Sequence, residues 1–369
     1  MRYIRQHIQT IIGLYDGSVP LAHFLKNYFK QYPILGSRDR KMLSALAYTW
    51  YRCTKGIEGE EWFDALMARW HEAPKLIPGF SLAQWISEQH ITFHTNALFP
   101  HDIEFSDGIE KNAWLHSMLA QPNLFIRIRK DKGKLVSLLN NGQVPFTFIT
   151  DDCLSLPNGA KIDTLLPPDA YVVQDASSQQ TGAFFTPQKN EQWLDCCSGA
   201  GGKSLLLTDI QPGVRLTVCD KRESIIRNLQ QRFTQYRHQQ PVAHVTDVAD
   251  KPQLTKALGS KSFDNIICDA PCSGSGTWAR TPEQLYFFDP ATLSGYTSLQ
   301  RAIATNVSQH LKPGGRLIYI TCSVFTKENE DGVTEIAKET GLKLIQSQLI
   351  NGIGIKADSM FVAMLRKEV

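Results

Sequence analysis

From residue 171 onward the chain repeats one pattern: a short apolar run that ends in a polar residue, then a stretch with helical spacing. The runs are Trp193–Cys197, Arg215–Asp220, Ala243–Asp247, Phe263–Asp269, Arg316–Thr321, Leu342–Ser347 and Met360–Arg366. Strands alternating with helices are joined by right-handed crossovers, which predicts a parallel sheet covered by helices on both faces. Ligands of such sheets bind outside the carboxyl ends of the strands. Those ends carry Asp195, Asp220, Asp247, Asp269 and Cys322. One acidic strand end would mean little; four of them, joined by a thiol, locate the active face.

Two further segments precede this one. Residues 1–117 read as helical: Leu21, Phe24, Leu25 and Tyr28 share one spacing, Leu43, Leu46, Ala47 and Trp50 another, and Ser37-Arg38-Asp39-Arg40 opens the second helix. Residues 118–170 read as a small α/β module. Leu124–Arg129 alternates like a strand with its arginines on one face, a helical patch covers Lys134–Leu139, and Pro167-Pro168 closes the module. The expected domains are therefore 1–117, 118–170 and 171–369, in line with about 150 residues per domain for a chain of 369.

No apolar run approaches the ~18 residues of a membrane helix, and Ile11–Leu14 is too short for a signal-peptide core. A soluble, cytoplasmic protein is expected, acting as a monomer. Eight cysteines in a reducing compartment predict free thiols. They form no CxxC pair and share no ligand spacing with the ten histidines, so no metal is expected. The net charge is only +3, but residues 1–55 hold nine lysines and arginines against Asp16 and Asp39. A basic end on a near-neutral chain points to a polyanionic partner.

Leu194–Ser204 (LDCCSGAGGKS) is a strand, a glycine-rich turn and a helix start. The P-loop pattern needs glycine at position 197, which is Cys; a dinucleotide fingerprint starting at Gly199 needs glycine at 204, which is Ser. Asp220 follows Gly201 by nineteen residues at the end of the next strand, where an acid accepts hydrogen bonds from ribose hydroxyls. A tight turn without a full phosphate cradle, plus a ribose acid, suits a nucleoside cofactor lacking polyphosphate. S-adenosylmethionine meets that description.

Cys272 lies in Asp269–Gly276 (DAPCSGSG), just after one strand, and Cys322 in Tyr319–Ser323 (YITCS), at the end of the next. Adjacent parallel strands are about 4.8 Å apart, so two thiols at their carboxyl ends can face one pocket. Methylation at carbon 5 of a pyrimidine uses such a set. That carbon is a poor nucleophile until a thiolate adds at carbon 6, and a donor at the N3/O2 edge stabilises the charge that develops there. The sequence does not rank the two cysteines.

With these motifs assembled, the chain resembles the RNA cytosine-5 methyltransferases, in their bacterial small-subunit ribosomal-RNA branch (the Sun/Fmu type). The matching segments are Tyr171–Gln179, Leu194–Ser204, Cys219-Asp220, Asp264–Gly276, Leu311–Ser323, Lys327–Glu330 and Asp358–Arg366. The resemblance implies a Rossmann-like S-adenosylmethionine-dependent methyltransferase sheet, a small RRM-like α/β module and a NusB-like helical N-terminal domain. It implies Cys322 as the nucleophile, Cys272 as the thiol that assists product release, and Lys203 and Asp269 against the target cytosine. Cofactor contacts are expected from Cys197, Ser198, Gly199, Ala200, Gly201, Gly202, Lys203, Asp220, Arg222, Asp247 and Asp269. The family turn usually reads A-P-G-G-K; here Ala200 replaces the proline.

The expected partner is RNA, ribosomal RNA foremost, with a base drawn out of its stack for the chemistry. Arg127, Arg129 and Lys130 are the expected phosphate grip, along with the basic N-terminus. Two alternatives stand beside this expectation: a non-catalytic RNA-binding or ribosome-assembly factor on the same fold, and the same chemistry on tRNA.

Overall fold

A computed structural model describes residues 2–59, 61–72 and 82–369. Among the described residues, eleven strands fall in two sheets. The first four are β1 (Leu124–Ile128), β2 (Thr147–Phe148), β3 (Cys153–Leu156) and β4 (Tyr171–Val173). The other seven are β5 (Gln192–Asp195), β6 (Arg215–Asp220), β7 (Val242–Val245), β8 (Phe263–Asp269), β9 (Leu311–Thr321), β10 (Lys343–Ile350) and β11 (Met360–Arg366).

The seven-stranded sheet runs β10-β11-β9-β8-β5-β6-β7. Its five central and right-hand strands are parallel, and side chains alternate between two cores. Leu194, Ile266, Leu317 and Tyr319 pack with Leu254, Ile303, Val307 and Ile336 on one face. Trp193, Ile267, Ile318 and Ile320 pack with Leu205, Leu229 and Phe233 on the other. The helices Gly202–Ile210 and Glu223–Gln235 thus cover one face, and Lys251–Leu258, Thr292–Ser308 and Glu330–Thr340 the opposite one. This is the Rossmann-like layering expected from the strand–helix alternation.

The sheet is not parallel throughout. β11 returns from the edge strand β10 and inserts antiparallel between β10 and β9. β11 is buried along nearly its whole length, whereas β10 stands at the edge with Leu344 and Ile345 about half exposed. Hydrophobic spacing reveals that a strand exists but not the direction in which it pairs.

β5 is the pivot of the sheet. The chain moves from β5 outward to β6 and β7, then crosses back to β8 on the other side of β5. A crevice opens outside the carboxyl ends at such a topological switch point. The turn after β5 and the loop after β8 both lie there.

The smaller sheet, order β2-β3-β1-β4, is antiparallel throughout. The helix Lys132–Asn141 closes its core through Leu135 and Leu139. Its fourth strand, Tyr171–Val173, lies beyond Pro167-Pro168. Both sheets belong to one compact unit, Glu104–Ile109, Asn123–Gly276 and Ala291–Val369.

The other unit comprises residues 1–103, 110–122 and 277–290. Its helices Leu21–Gln31 and Ser37–Cys53 follow the expected spacing, and Asp39 accepts from the Gly36 N–H at the start of the second. Thr277–Pro290 joins this unit from far along the sequence: buried Arg52 donates to the carbonyls of Met118 and Ala279, and buried Glu283 accepts from the Leu21 N–H.

Candidate active site

The turn after β5 is built by glycine. Gly199 and Gly201 have φ of +50° and +83°, a region that other residues adopt only at a cost. A Cβ on Gly201 would also meet Leu229 Cγ at 2.9 Å. The turn is tied to the neighbouring strand: Ser198 donates to the Cys219 carbonyl through N–H and hydroxyl, and the Gly199 N–H donates to Asp220 Oδ2 at 3.2 Å. Beside Gly199 and Gly202 there is open space where a Cβ would project.

Asp220 is buried, and Arg222 covers it with Nε on Oδ1 at 3.0 Å and Nη2 on Oδ2 at 3.1 Å. Burial, the largest influence, pushes this carboxyl up, but the hydrogen bonds and charge of Arg222 bring it below its ordinary value. Asp195 ends β5 with no exposure, and its Oδ2 accepts from Ser204 at 2.6 Å. Burial pushes Asp195 up to about 7. Asp247, past β7, accepts from the Ala249 N–H within its own turn.

Lys203 turns away from any phosphate position at the helix N-terminus. Its buried ammonium lies 2.7 Å from Ser178 Oγ and 3.4 Å from Asp269 Oδ2. That orientation fits the failure of the P-loop pattern.

The loops after β8 and β9 bring the two thiols together: Cys272 Sγ lies 3.3 Å from Cys322 Sγ and also accepts from the Cys322 N–H. Gly276 makes the approach possible. It donates to the Cys322 carbonyl and accepts from the Ser359 N–H, and a Cβ there would lie 2.1 Å from Ser359 O. All eight cysteines are free, and Cys196, Cys219 and Cys268 are buried in the sheet.

One fully buried carboxyl pins both loops. Glu328 Oε1 accepts from the Ser273 N–H at 2.8 Å and from Gln300 Nε2 at 3.0 Å. Its Oε2 accepts from the hydroxyls of Ser273 and Ser323, the residues that directly follow the two cysteines. Glu328 and Ser178 both stand in segments that carry the resemblance, yet neither carried a role there; the contacts with Ser273 and Lys203 that define them join residues fifty-five and twenty-five apart.

The expected phosphate grip is placed differently. Arg127 and Arg129 do share a face, but that face is covered by the helix Gly202–Ile210. Each guanidinium lies 2.7 Å from an Asp209 oxygen, and both are buried. Arg129 also lies over the Tyr236 ring. Burial pushes Asp209 up, but His238 and the two arginines together hold it well below the carboxylate range. Lys130 is half-exposed and paired with Asp169. Alternation places a side chain on a face without saying what covers that face.

Among the described residues no cluster of His, Cys, Asp or Glu is placed to hold a metal ion, and no helix is long and apolar enough to cross a membrane.

Residues 183–366 match the model of the 16S rRNA methyltransferase RsmB/F family. The ribosomal RNA small subunit methyltransferase B of Shewanella oneidensis is 30% identical over 194 residues, 52% of this chain and 44% of that protein. Its namesake from Salmonella paratyphi A is 29% identical over 192 residues, 50% and 44% of the two. The chain thus spans less than half the length of these curated relatives. Among solved structures, a methyltransferase homolog protein from Pyrococcus horikoshii superposes with TM-score 0.60 at 19% identity, covering 71% of this chain and 92% of that one. NSun6 from Pyrococcus horikoshii with SFG superposes with TM-score 0.61 at 15% identity, covering 78% and 97%. At these identities the structures share the fold.

Proposed function

The chain belongs, through residues 183–366, to the 16S rRNA methyltransferase RsmB/F family, and from that premise we propose that it methylates carbon 5 of a cytosine in small-subunit ribosomal RNA. The observation that carries the reading is the pair of thiols 3.3 Å apart, held at the switch-point crevice. The Lys203–Asp269 pair extends from the same strand ends.

The glycine turn suits a nucleoside cofactor: it faces open space, it is tied to the Asp220 carboxyl, and its lysine faces Asp269 rather than a phosphate. Ser198–Gly202, Asp220, Arg222 and Asp247 would hold S-adenosylmethionine, which when bound supplies an electrophilic methyl group. The remaining chemistry falls to the chain. Cys322 as thiolate forms a bond to carbon 6, and the carbon 5–carbon 6 π pair moves onto carbon 5, making it nucleophilic. Lys203 donates to the N3/O2 edge and Asp269 shares a proton with it, which stabilises the negative charge that develops there. After methylation a base removes the carbon 5 proton, and the sulfur–carbon 6 bond breaks to release the Cys322 thiolate. Cys272 serves this release step. The Cys322 hydrogen bond, burial and the nearby charges of Cys322 and Glu328 all favour the protonated form of Cys272.

The test is transfer of labelled methyl from S-adenosylmethionine to undermodified total RNA, followed by fractionation and digestion to nucleosides. Label in 5-methylcytidine of the small-subunit fraction supports the reading. Label confined to tRNA replaces the substrate, and no label in any fraction overturns the enzymatic reading.

A further inference from the structure

Lys203 does not stand alone in the crevice. A line of polar groups runs to it from the small sheet: Asp209, Arg127, Gln174, Ser178, Lys203. Its polarity can be derived. Arg127 can only donate, and its Nε reaches Gln174 at 3.1 Å, so the atom facing it is the carbonyl oxygen Oε1. The amide must then turn its NH2 the other way, where Nε2 lies 3.3 Å from Ser178 Oγ. From the other side the Lys203 ammonium, also donor only, reaches the same Oγ at 2.7 Å.

A serine oxygen has two acceptor positions and one proton. Both acceptor positions of Ser178 are filled by N–H donors. Its own proton finds no acceptor among the described residues, and the side chain is partly exposed. The serine is therefore fixed as an acceptor from both ends of the line, and its O–H is left for the substrate side.

A buried ammonium with one short acceptor is held in direction by that acceptor. Its carboxylate partner, Asp269, lies at 3.4 Å, and among the described residues its other near contact is Met360 Sδ at 4.0 Å. We propose that Ser178 is the positioning residue of Lys203, anchored through Gln174 and Arg127, and that it aims the ammonium at the target base beside Asp269. The inference rests on the methyltransferase reading above and adds a residue to its machinery.

The test compares wild type, Ser178→Ala and Ser178→Thr in steady-state methylation of the RNA fraction that wild type labels. Melting temperature and the affinity for S-adenosylmethionine are measured on the same proteins. Misplacing a reacting group by ~1 Å costs on the order of 100-fold, so kcat of Ser178→Ala should fall by about 10- to 100-fold. KM for the cofactor, cofactor affinity and melting temperature should stay near wild type, and the threonine hydroxyl should restore most of the rate. A wild-type rate in Ser178→Ala, with wild type active, overturns the inference alone. So does a loss of rate that follows loss of melting temperature and is not restored by threonine. A wild-type protein that transfers no methyl to any RNA overturns the underlying reading and the inference with it.

Discussion

The Cys272 and Cys322 sulfurs lie 3.3 Å apart on loops that leave two neighbouring parallel strands. A disulfide would bring them to about 2.05 Å, so this is a thiol pair in hydrogen-bonding contact. The Cys322 N–H also points at Cys272 Sγ. The pair is therefore unequal: the Cys272 sulfur accepts the backbone N–H of its neighbour, while the Cys322 side-chain contact and burial push the Cys272 thiol up.

Glu328 governs how well that pair is held. Glu328→Ala would leave two serine hydroxyls, a backbone N–H and an amide without their acceptor. Each unsatisfied buried group costs ~1–3 kcal/mol, so a loss of several kcal/mol is expected in denaturant unfolding. Glu328→Gln should cost far less. Its oxygen can serve the two N–H donors, and its NH2 can donate to the hydroxyls, which can turn to accept. Equal losses in the two variants would contradict this account of the clamp.

Asp195 should set a pH dependence of stability. Burial raises its carboxyl to about 7, against ~3.9 in an unfolded chain. The folded state binds that proton more tightly, so the stabilisation is complete below ~3.9 and is lost as pH rises to about 7. The shift corresponds to on the order of 4 kcal/mol at most. Asp195→Asn carries no such titration. Its melting temperature relative to wild type should therefore improve between pH 4.5 and pH 7.5. A constant difference across that range would contradict the assignment.

Arg127 is assigned to the fold. Removing one partner of a buried ion pair costs ~3–5 kcal/mol; Asp209 keeps Arg129 and His238, which places Arg127→Ala at the lower end. The variant should melt earlier, while the salt dependence of RNA binding keeps its wild-type slope. A flatter slope with an unchanged melting temperature would return Arg127 to the phosphate grip.

What the sequence made legible follows from range. The apolar runs located β5 to β9, because β5, β6, β8 and β9 bury their own side chains in sequence order and β7 follows the same spacing at the edge. The acids and thiols at strand ends were legible for the same reason, and adjacency of β8 and β9 brought Cys272 and Cys322 together. The antiparallel insertion of β11 was not legible, since pairing direction leaves no mark on hydrophobic spacing. The burial of Arg127 depends on Asp209, eighty-two residues away, and the roles of Ser178 and Glu328 depend on Lys203 and Ser273, twenty-five and fifty-five residues away. Thr277–Pro290, between β8 and β9 in the sequence, likewise packs with helices from the start of the chain.

The most direct test of the thiol assignment is to incubate Cys272→Ala and Cys322→Ala separately with S-adenosylmethionine and undermodified ribosomal RNA, then run each on a denaturing gel. Cys272→Ala should accumulate a slow-migrating covalent protein–RNA band, because carbon 6 is attacked but not released. Cys322→Ala should show no band and no methylation while still binding the cofactor. A covalent band in Cys322→Ala, or full methylation by it, would contradict the account.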